Sequence, residues 1–324
     1  MMRKALMAAV VAVASIAPSF GARAEWPERP IKMIVPFSAG SSSSTIARVV
    51  AAKMGDYLGQ QVIIENRVGG STIIGTDAVA KSPPDGYTIE LANTTTHAAS
   101  AALNASLPFD PVKDFAPVAM IGSSPFVLIG ATQLDTPTLK DFVALAKAKP
   151  NALSYASAGT GTLAHLAGEL FKHKAGVQIT HVPYRGSEQS MFDLMKGRID
   201  FSVSTIPPTL AHIREGKLRA YAVMSDKRNA MLPDVPTVGE AGVPGCEAAL
   251  WTAIVVPAAV PAPIVKRLQK AVIDAVNNPQ LREALKIQGV DVEPGPPEVV
   301  AARIKADIAK WRQVVAEAHI VVAK

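Results

Sequence analysis

The chain reads as an α/β protein of two units, each a mostly parallel sheet flanked by helices. Three observations predict it. Apolar runs of strand length alternate with amphipathic runs of helix length, the alternation occurs twice along the chain, and about 300 residues exceed what one hydrophobic core usually serves.

The elements follow in order. Residues 1–24 read as a secretory signal peptide: Arg3 and Lys4 make a basic start, residues 5–17 an apolar run, and Ala22-Arg23-Ala24 an A-x-A cleavage site before Glu25. That run is shorter than the roughly 20 apolar residues a membrane span needs, and no cysteine follows it to carry a lipid. An exported, soluble protein that does not insert into the membrane is expected. In the first unit the apolar residues 31–36 predict a strand, 46–57 an amphipathic helix, 61–65 a strand, 73–81 a helix and 88–92 a strand. The second unit takes strands at 126–130, 154–156, 179–183, 199–203 and 218–224, with helices at 139–149, 162–175 and 189–196. A strand over 251–256 precedes helices over 263–277, 279–288 and 297–318, each with a proline near its start, where the missing N–H costs nothing. Neither a tandem repeat nor a Gly/Ser/Pro-rich linker separates the units.

Charge limits the partners. The full chain carries 33 Lys and Arg against 27 Asp and Glu; Arg3, Lys4 and Arg23 leave with the leader, so 30 remain against 27, or +3. Such a mildly basic surface suits an anionic small ligand. It lacks the clustered Lys/Arg with interleaved aromatics of a nucleic-acid binder. Cys246, the single cysteine, has no partner for an internal disulfide, and no Cys/His spacing fits a metal, so neither a metal nor a cofactor is expected.

Chemistry concentrates where strands run into helices, the usual ligand edge of an open α/β sheet. The first such loop is Ser38-Ala39-Gly40-Ser41-Ser42-Ser43-Ser44-Thr45, the second Asn93-Thr94-Thr95-Thr96-His97, the third Ser157-Ala158-Gly159-Thr160-Gly161-Thr162. Each alone is ordinary capping and turn chemistry. Three in equivalent places, rich in hydroxyls and nearly free of charge, point to a polar cleft that holds oxyanions with neutral donors and helix N-termini.

Nine phrases then carry a resemblance: WPERPIKMIVPFSAG (26–40), LGQQVIIENRVGG (58–70), IGTDAVAKSPPDGYT (74–88), PFDPVKDFAPV (108–118), YASAGTGTLAHLAGELF (155–171), HVPYRGS (181–187), GKLRAYAV (216–223), LPDVPTVGEAG (232–242) and the strand at Trp251 ending VVPAAVPAPIV. In this order the chain resembles the Bug family, the periplasmic substrate-binding receptors of tripartite tricarboxylate transporters, over its whole mature length. The resemblance implies a two-lobed type II periplasmic binding protein with lobes joined by crossing strands: residues 25–124 plus 247–324 in the first lobe and 125–246 in the second. It implies a monomeric periplasmic receptor with no catalytic residues that hands a small carboxylate to membrane transporter subunits. A sensor kinase is the alternative partner.

Carried over residue by residue, the resemblance assigns Phe37, Ser38, Gly40, Ser41 and Ser42, then Ser157, Gly159, Thr160, Gly161 and Thr162, to a carboxylate clamp of N–H groups, hydroxyls and waters; Thr94 and Thr95 join from the middle loop. Where many relatives read PGGGTD, this chain places Ser44 at the aspartate position. Losing that carboxylate removes a repulsion of roughly 4 kcal/mol toward a ligand carboxylate at a near-surface dielectric. Acids without an ammonium group are therefore expected: di- or tricarboxylates, or aromatic acids such as terephthalate or protocatechuate.

Other residues have plainer readings. His165 and His181, without metal-ligand spacing, read as structural. Arg185 in Tyr184-Arg185-Gly186-Ser187 is either a surface ion-pair partner or a planar fork for a distal carboxylate. An exported hydrolase would need a G-x-S-x-G elbow, and a nucleotide enzyme a Gly-Lys-Ser/Thr loop; the chain offers neither.

Overall fold

In the computed structural model of the protein, which describes residues 26–184, 186–318 and 320, helices and strands alternate much as the pattern predicts. The predicted leader, residues 1–24, lies outside the described residues. In chain order the elements are β1 (Ile31–Val35), α1 (Ser42–Leu58), β2 (Val62–Asn66), α2 (Ile73–Ala80), β3 (Thr88–Asn93), α3 (Ser100–Leu103), β4 (Phe115–Ala131), α4 (Leu139–Ala148), β5 (Ser154–Ser157) and α5 (Leu163–Ala175). Then come β6 (Thr180–Pro183), α6 (Ser187–Met195), β7 (Phe201–Thr205), α7 (Pro207–Arg214), β8 (Leu218–Val223), β9 (Ala249–Pro257), α8 (Ala262–Asn277), α9 (Pro279–Ile287), β10 (Asp291–Gly295) and α10 (Pro297–Glu317).

The strands form one hydrogen-bonded path, β2-β1-β3-β9-β4-β7-β5-β6, with β8 and β10 also on β4. β1 is parallel to both β2 and β3, and β5 is parallel to both β6 and β7, which gives each half its parallel core. Strand β4 joins them. Its residues from Phe115 to Pro125 run antiparallel to β9, and from Phe126 onward it changes partners to β7 and β8. The predicted strand at 126–130 was therefore only the second half of a 17-residue strand. Pro117 and Pro125 hid the first half, because proline gives the ladder no N–H; register shifts at Pro117/Ala119 and Met120/Gly122 absorb the misfit.

Apolar residues pack against each sheet, and one cluster runs across both halves, from Ile34, Phe115 and Trp311 to Phe142 and Phe201. On α1, Ile46, Ala47, Val50, Ala51, Met54 and Leu58 form the helical stripe, and it packs with Ile31, Met33 and Val35 of β1 and Leu268 and Val272 of α8. In the other half Phe142, Phe171 and Phe201 stack, with ring centroids 4.7 Å apart for Phe142–Phe201 and 5.0 Å for Phe171–Phe201. Between the halves, Trp251 on β9 is buried and donates its indole N–H to Asp307 of α10 at 2.8 Å. Among the described residues no helix is long and apolar enough to cross a membrane.

Candidate functional site

Helix α1 starts four residues earlier than the apolar pattern predicts, at Ser42. Ser41 is the reason. It keeps extended backbone (φ −71°, ψ 154°), its Oγ accepts from the N–H of Ser44 at 3.2 Å, and its hydroxyl donates to the Ser38 carbonyl at 2.7 Å. The cap leaves the N–H groups of Ser42 and Ser43 in the first turn without intrahelical acceptors, at the positive end of the helix dipole and with no acidic residue in that turn. Ser38 and Gly40 are exposed, while Phe37, Ser41 and Ser42 are half-buried. Two asparagines brace the turn from below. Asn93 Nδ2 donates to Ser43 Oγ at 3.3 Å; Asn66 Nδ2 donates to Ser44 Oγ at 2.9 Å and to the Phe37 carbonyl at 2.9 Å. Ser44 is 0% exposed, so its hydroxyl serves this brace.

The loop after β5 repeats the design. Thr162 caps α5, accepting from the His165 N–H at 3.3 Å and donating to the Gly159 carbonyl at 2.8 Å. Gly159 (φ 137°) and Gly161 (φ 84°) take backbone that side chains rarely adopt, and this brings the loop tight around Ser157. Thr160 at the tip is exposed.

The middle stretch is different from the expected donor loop. β3 extends to Asn93, and residues Thr95–Ala99 form a single π-turn leading into α3, all of it buried. Thr94 Oγ1 donates to the Ala249 carbonyl at 3.2 Å and accepts from the Trp251 N–H at 3.1 Å, which pins β9. Thr95 Oγ1 instead reaches across to the second half and accepts from the Leu163 N–H, the first of α5, at 3.4 Å. Buried threonines tied to backbone were not distinguishable from exposed ones by type alone.

Further contacts close the junction. Ser71 Oγ donates to the Thr160 carbonyl at 3.0 Å, and a β-carbon on Gly40 would stand 3.5 Å from Glu188 Oε1. Ser71 (φ 53°) and Thr72 (φ 85°) hold left-handed backbone, which costs a residue with a side chain roughly 1–3 kcal/mol. The strain brings Ser71 to the second half. Sequence reading missed Ser71; the Gly69-Gly70 pair before it was the available signal of an unusual turn.

Sequence reading took His165 and His181 each as structural and did not place them together. Their rings stack at 4.3 Å between centroids, and Tyr155 stacks on the other face of His181 at 4.8 Å. His181 Nε2 lies 2.7 Å from Ser157 Oγ, and His165 Nδ1 accepts the Gly161 N–H at 3.4 Å. Burial, then the neighbouring His165 and Lys172, push the His181 pKa down to about 3; burial likewise lowers that of His165. Both rings are neutral in ordinary buffers. Arg185 lies outside the described residues.

Beneath Asn93 sits a second buried pair. Glu90 and His97, both 0% exposed, approach to 3.8 Å. Burial raises Glu90 to about 8 and lowers His97 to about 3, so this is a contact between neutral groups and not an ion pair. Among the described residues no three His, Cys, Asp or Glu gather as a metal site. Cavities of about 590 Å³ beside Ala51, Gly55 and Gln61, and of about 570 Å³ beside Asn104, Phe109 and Arg312, contain none of the loop residues. What the two capped turns offer is a set of helix-terminal N–H groups, with the Glu188 carboxylate standing beside Gly40 of the first turn.

The chain is similar to proteins of one family. A family model described as the tripartite tricarboxylate transporter family receptor matches residues 46–320. Protein BugT of Bordetella pertussis is 36% identical over 314 residues, covering 97% of this chain and 96% of BugT. Among solved structures, an R. palustris protein with adipate aligns with a TM-score of 0.85 at 34% identity, covering 91% of this chain and 99% of that one. MatC from Rhodopseudomonas palustris with bound malate aligns at 0.82 and 33%, covering 90% and 100%.

Proposed function

Because the chain belongs to the tripartite tricarboxylate transporter receptor family, a group of periplasmic substrate-binding proteins, we propose that it captures a small di- or tricarboxylate between its two halves and delivers it to membrane transporter subunits. One observation carries the reading: the helix starts at Ser42 and Leu163 each follow a capped, hydroxyl-rich loop, and the second loop is clasped by Ser71 and Thr95 from the first half. Phe37, Ser38, Gly40, Ser41 and Ser42 then form one jaw, and Ser157, Gly159, Thr160, Gly161 and Thr162 the other. Helix N-termini hold anions without a counter-charge, which suits a receptor that must also release its cargo.

The neighbours with adipate and malate favour an aliphatic dicarboxylate over an aromatic acid. The partner change of β4 at Pro125 and Phe126 supports lobes of 25–124 plus 247–324 and 125–246. The leader sequence supports export to the periplasm, and a monomer that binds without turning over its ligand completes the reading.

A thermal-shift panel of adipate, malate, succinate, citrate, terephthalate and aspartate tests it. A true ligand at 100 times its dissociation constant should stabilise by about 2.7 kcal/mol. A midpoint unmoved by every member, confirmed by calorimetry, would sink the carboxylate reading.

A further inference from the structure

Ser157 is 1% exposed and ends β5, the strand that feeds the second donor loop. A hydroxyl has one proton and two lone pairs, so where that proton points decides whether Ser157 is a donor to a ligand. Three groups surround its Oγ: the Gly159 N–H, which donates to it at 3.3 Å, the Gly159 carbonyl at 3.2 Å and His181 Nε2 at 2.7 Å. The Gly159 carbonyl is already served by the Thr162 hydroxyl at 2.8 Å and the Thr162 N–H at 3.3 Å. His181 is therefore the group that decides. If Nε2 is bare, it takes the serine proton and Ser157 has nothing to donate. With a proton on Nε2, the ring donates to Oγ and the serine proton is free for a carboxylate.

We propose that His181 is a positioning residue for the ligand site, held as the neutral Nε2–H tautomer so that it turns the Ser157 proton toward a bound carboxylate. The proposal rests on the carboxylate-receptor reading. The ring is fixed on both faces, by Tyr155 on one side and by His165 on the other. Tyr155 is anchored in turn, its hydroxyl donating to Glu169 Oε1 at 2.6 Å, and Glu169 is paired with Lys172 at 2.8 Å. His165 is committed to its own tautomer, because Nδ1 accepts from Gly161 N–H and the proton must sit on Nε2. The column Lys172–Glu169–Tyr155–His181–His165 thus runs under the loop and touches it at Ser157 and at Gly161. A neutral ring suits this role, since a charged imidazolium stacked on His165 near Lys172 would be repelled.

The test uses the mature protein with adipate and malate as probes. Nitrogen-15 NMR of the free protein should show His181 as the Nε2–H tautomer; the Nδ1–H form would overturn the proposal whatever the ligand. His181→Phe keeps the stacking face and removes the donor, and should weaken whichever probe binds wild type by 5- to 50-fold. His181→Gln, which restores an N–H, should recover most of that loss. Ser157→Ala added to His181→Phe should weaken binding no further, because without the Nε2–H behind it the Ser157 hydroxyl turns back to the Gly159 carbonyl at 3.2 Å and no longer donates to the ligand. Wild-type affinity in His181→Phe, or independent losses in the double variant, would overturn the proposal while leaving the receptor reading intact. A wild-type protein that binds neither probe in calorimetry would instead count against the receptor reading, and the tautomer would still decide this one.

Discussion

Ser44 and Glu90 show how much a single buried polar atom decides. Ser44 stands where the family resemblance leads one to expect aspartate, yet its hydroxyl is enclosed and bonded to Asn66. A carboxylate put there would lie beside the Asn66 carboxamide oxygen, 3.4 Å from the present hydroxyl, with no cation on the α1 first turn. Ser44→Asp should therefore cost about 1–3 kcal/mol of stability, the penalty of a poorly paired buried group, in addition to weakening acid binding. Unchanged urea unfolding would show that the side chain faces open solvent instead. Glu90 and His97 set a pH profile. Between about pH 4.5 and 8 the folded chain keeps a Glu90 proton that the unfolded chain sheds, so stability falls as pH rises. From about pH 3 to 6.5 the unfolded His97 holds a proton the fold excludes, so stability rises with pH. His181, lowered in the same way, adds a second rising slope, so stability rises with pH up to about 6.5 and falls from there toward pH 8. Glu90→Gln should abolish the alkaline fall; urea midpoints at pH 5.5, 7 and 8.5 check this, and an undiminished fall in the variant would place its source elsewhere. The acid limb should persist in His97→Gln, because His181 contributes in the same direction.

At the scale of elements, helix α5 and strand β5 meet through Gly168. A β-carbon there would stand 2.3 Å from the Tyr155 ring, against which the chain leaves room for no side chain. Gly168→Ala should push Tyr155 off His181, costing about 1–3 kcal/mol by overpacking and loosening the 157–162 loop, so affinity should fall with stability. If affinity holds while stability falls, the column does not govern the loop. Periodicity made most elements legible, because α1 and α8 each bury one stripe and β1 is a nearly continuous apolar run. It failed where local rules were overridden. α7 begins with Pro207-Pro208 after a strand and reads as a turn, β10 includes Pro294, and the threonines at 94–96 favour a loop by type but are carried into a π-turn by tertiary packing. The donor loops were legible for a related reason: capping uses Ser, Thr and Gly at fixed offsets, and Ser41 and Thr162 stand at those offsets. Their supports were not, since Asn66 and Asn93 reach the serine turn from 22 and 50 residues away, and the 15 residues between His165 and His181 give no sign that their rings stack.

The whole molecule is a pair of halves joined by β4 and β9, sharing one apolar cluster that runs from Ile34 and Phe115 to Phe142 and Phe201, with His173 of α5 beside Glu317 of α10 at 3.4 Å. Across the junction, the hydroxyls of Ser71 and Thr95 each make one hydrogen bond to backbone of the second half, at 3.0 and 3.4 Å. Neutral bonds of this kind contribute about 0.5–1.5 kcal/mol each, so together they favour closure by only a few kcal/mol before the ordering of the loops is counted. A ligand gripped by both jaws adds interactions that only the closed form offers, and it should shift the population by that difference in affinity. Two consequences can be measured. Small-angle scattering should give a smaller radius of gyration with saturating adipate or malate, whichever binds, than without it; an identical radius would remove lobe closure from the mechanism. Combining Ser71→Ala with Thr95→Ala should leave the fold intact but lower the fraction closed in the free protein, and apparent affinity falls in proportion to that fraction. Calorimetry on the double variant should show a weaker constant, and scattering should show that its ligand-bound radius still reaches the wild-type value, because the jaws themselves are unchanged. A bound radius that stays large would mean that Ser71 and Thr95 hold the closed form directly and that the ligand only fills it.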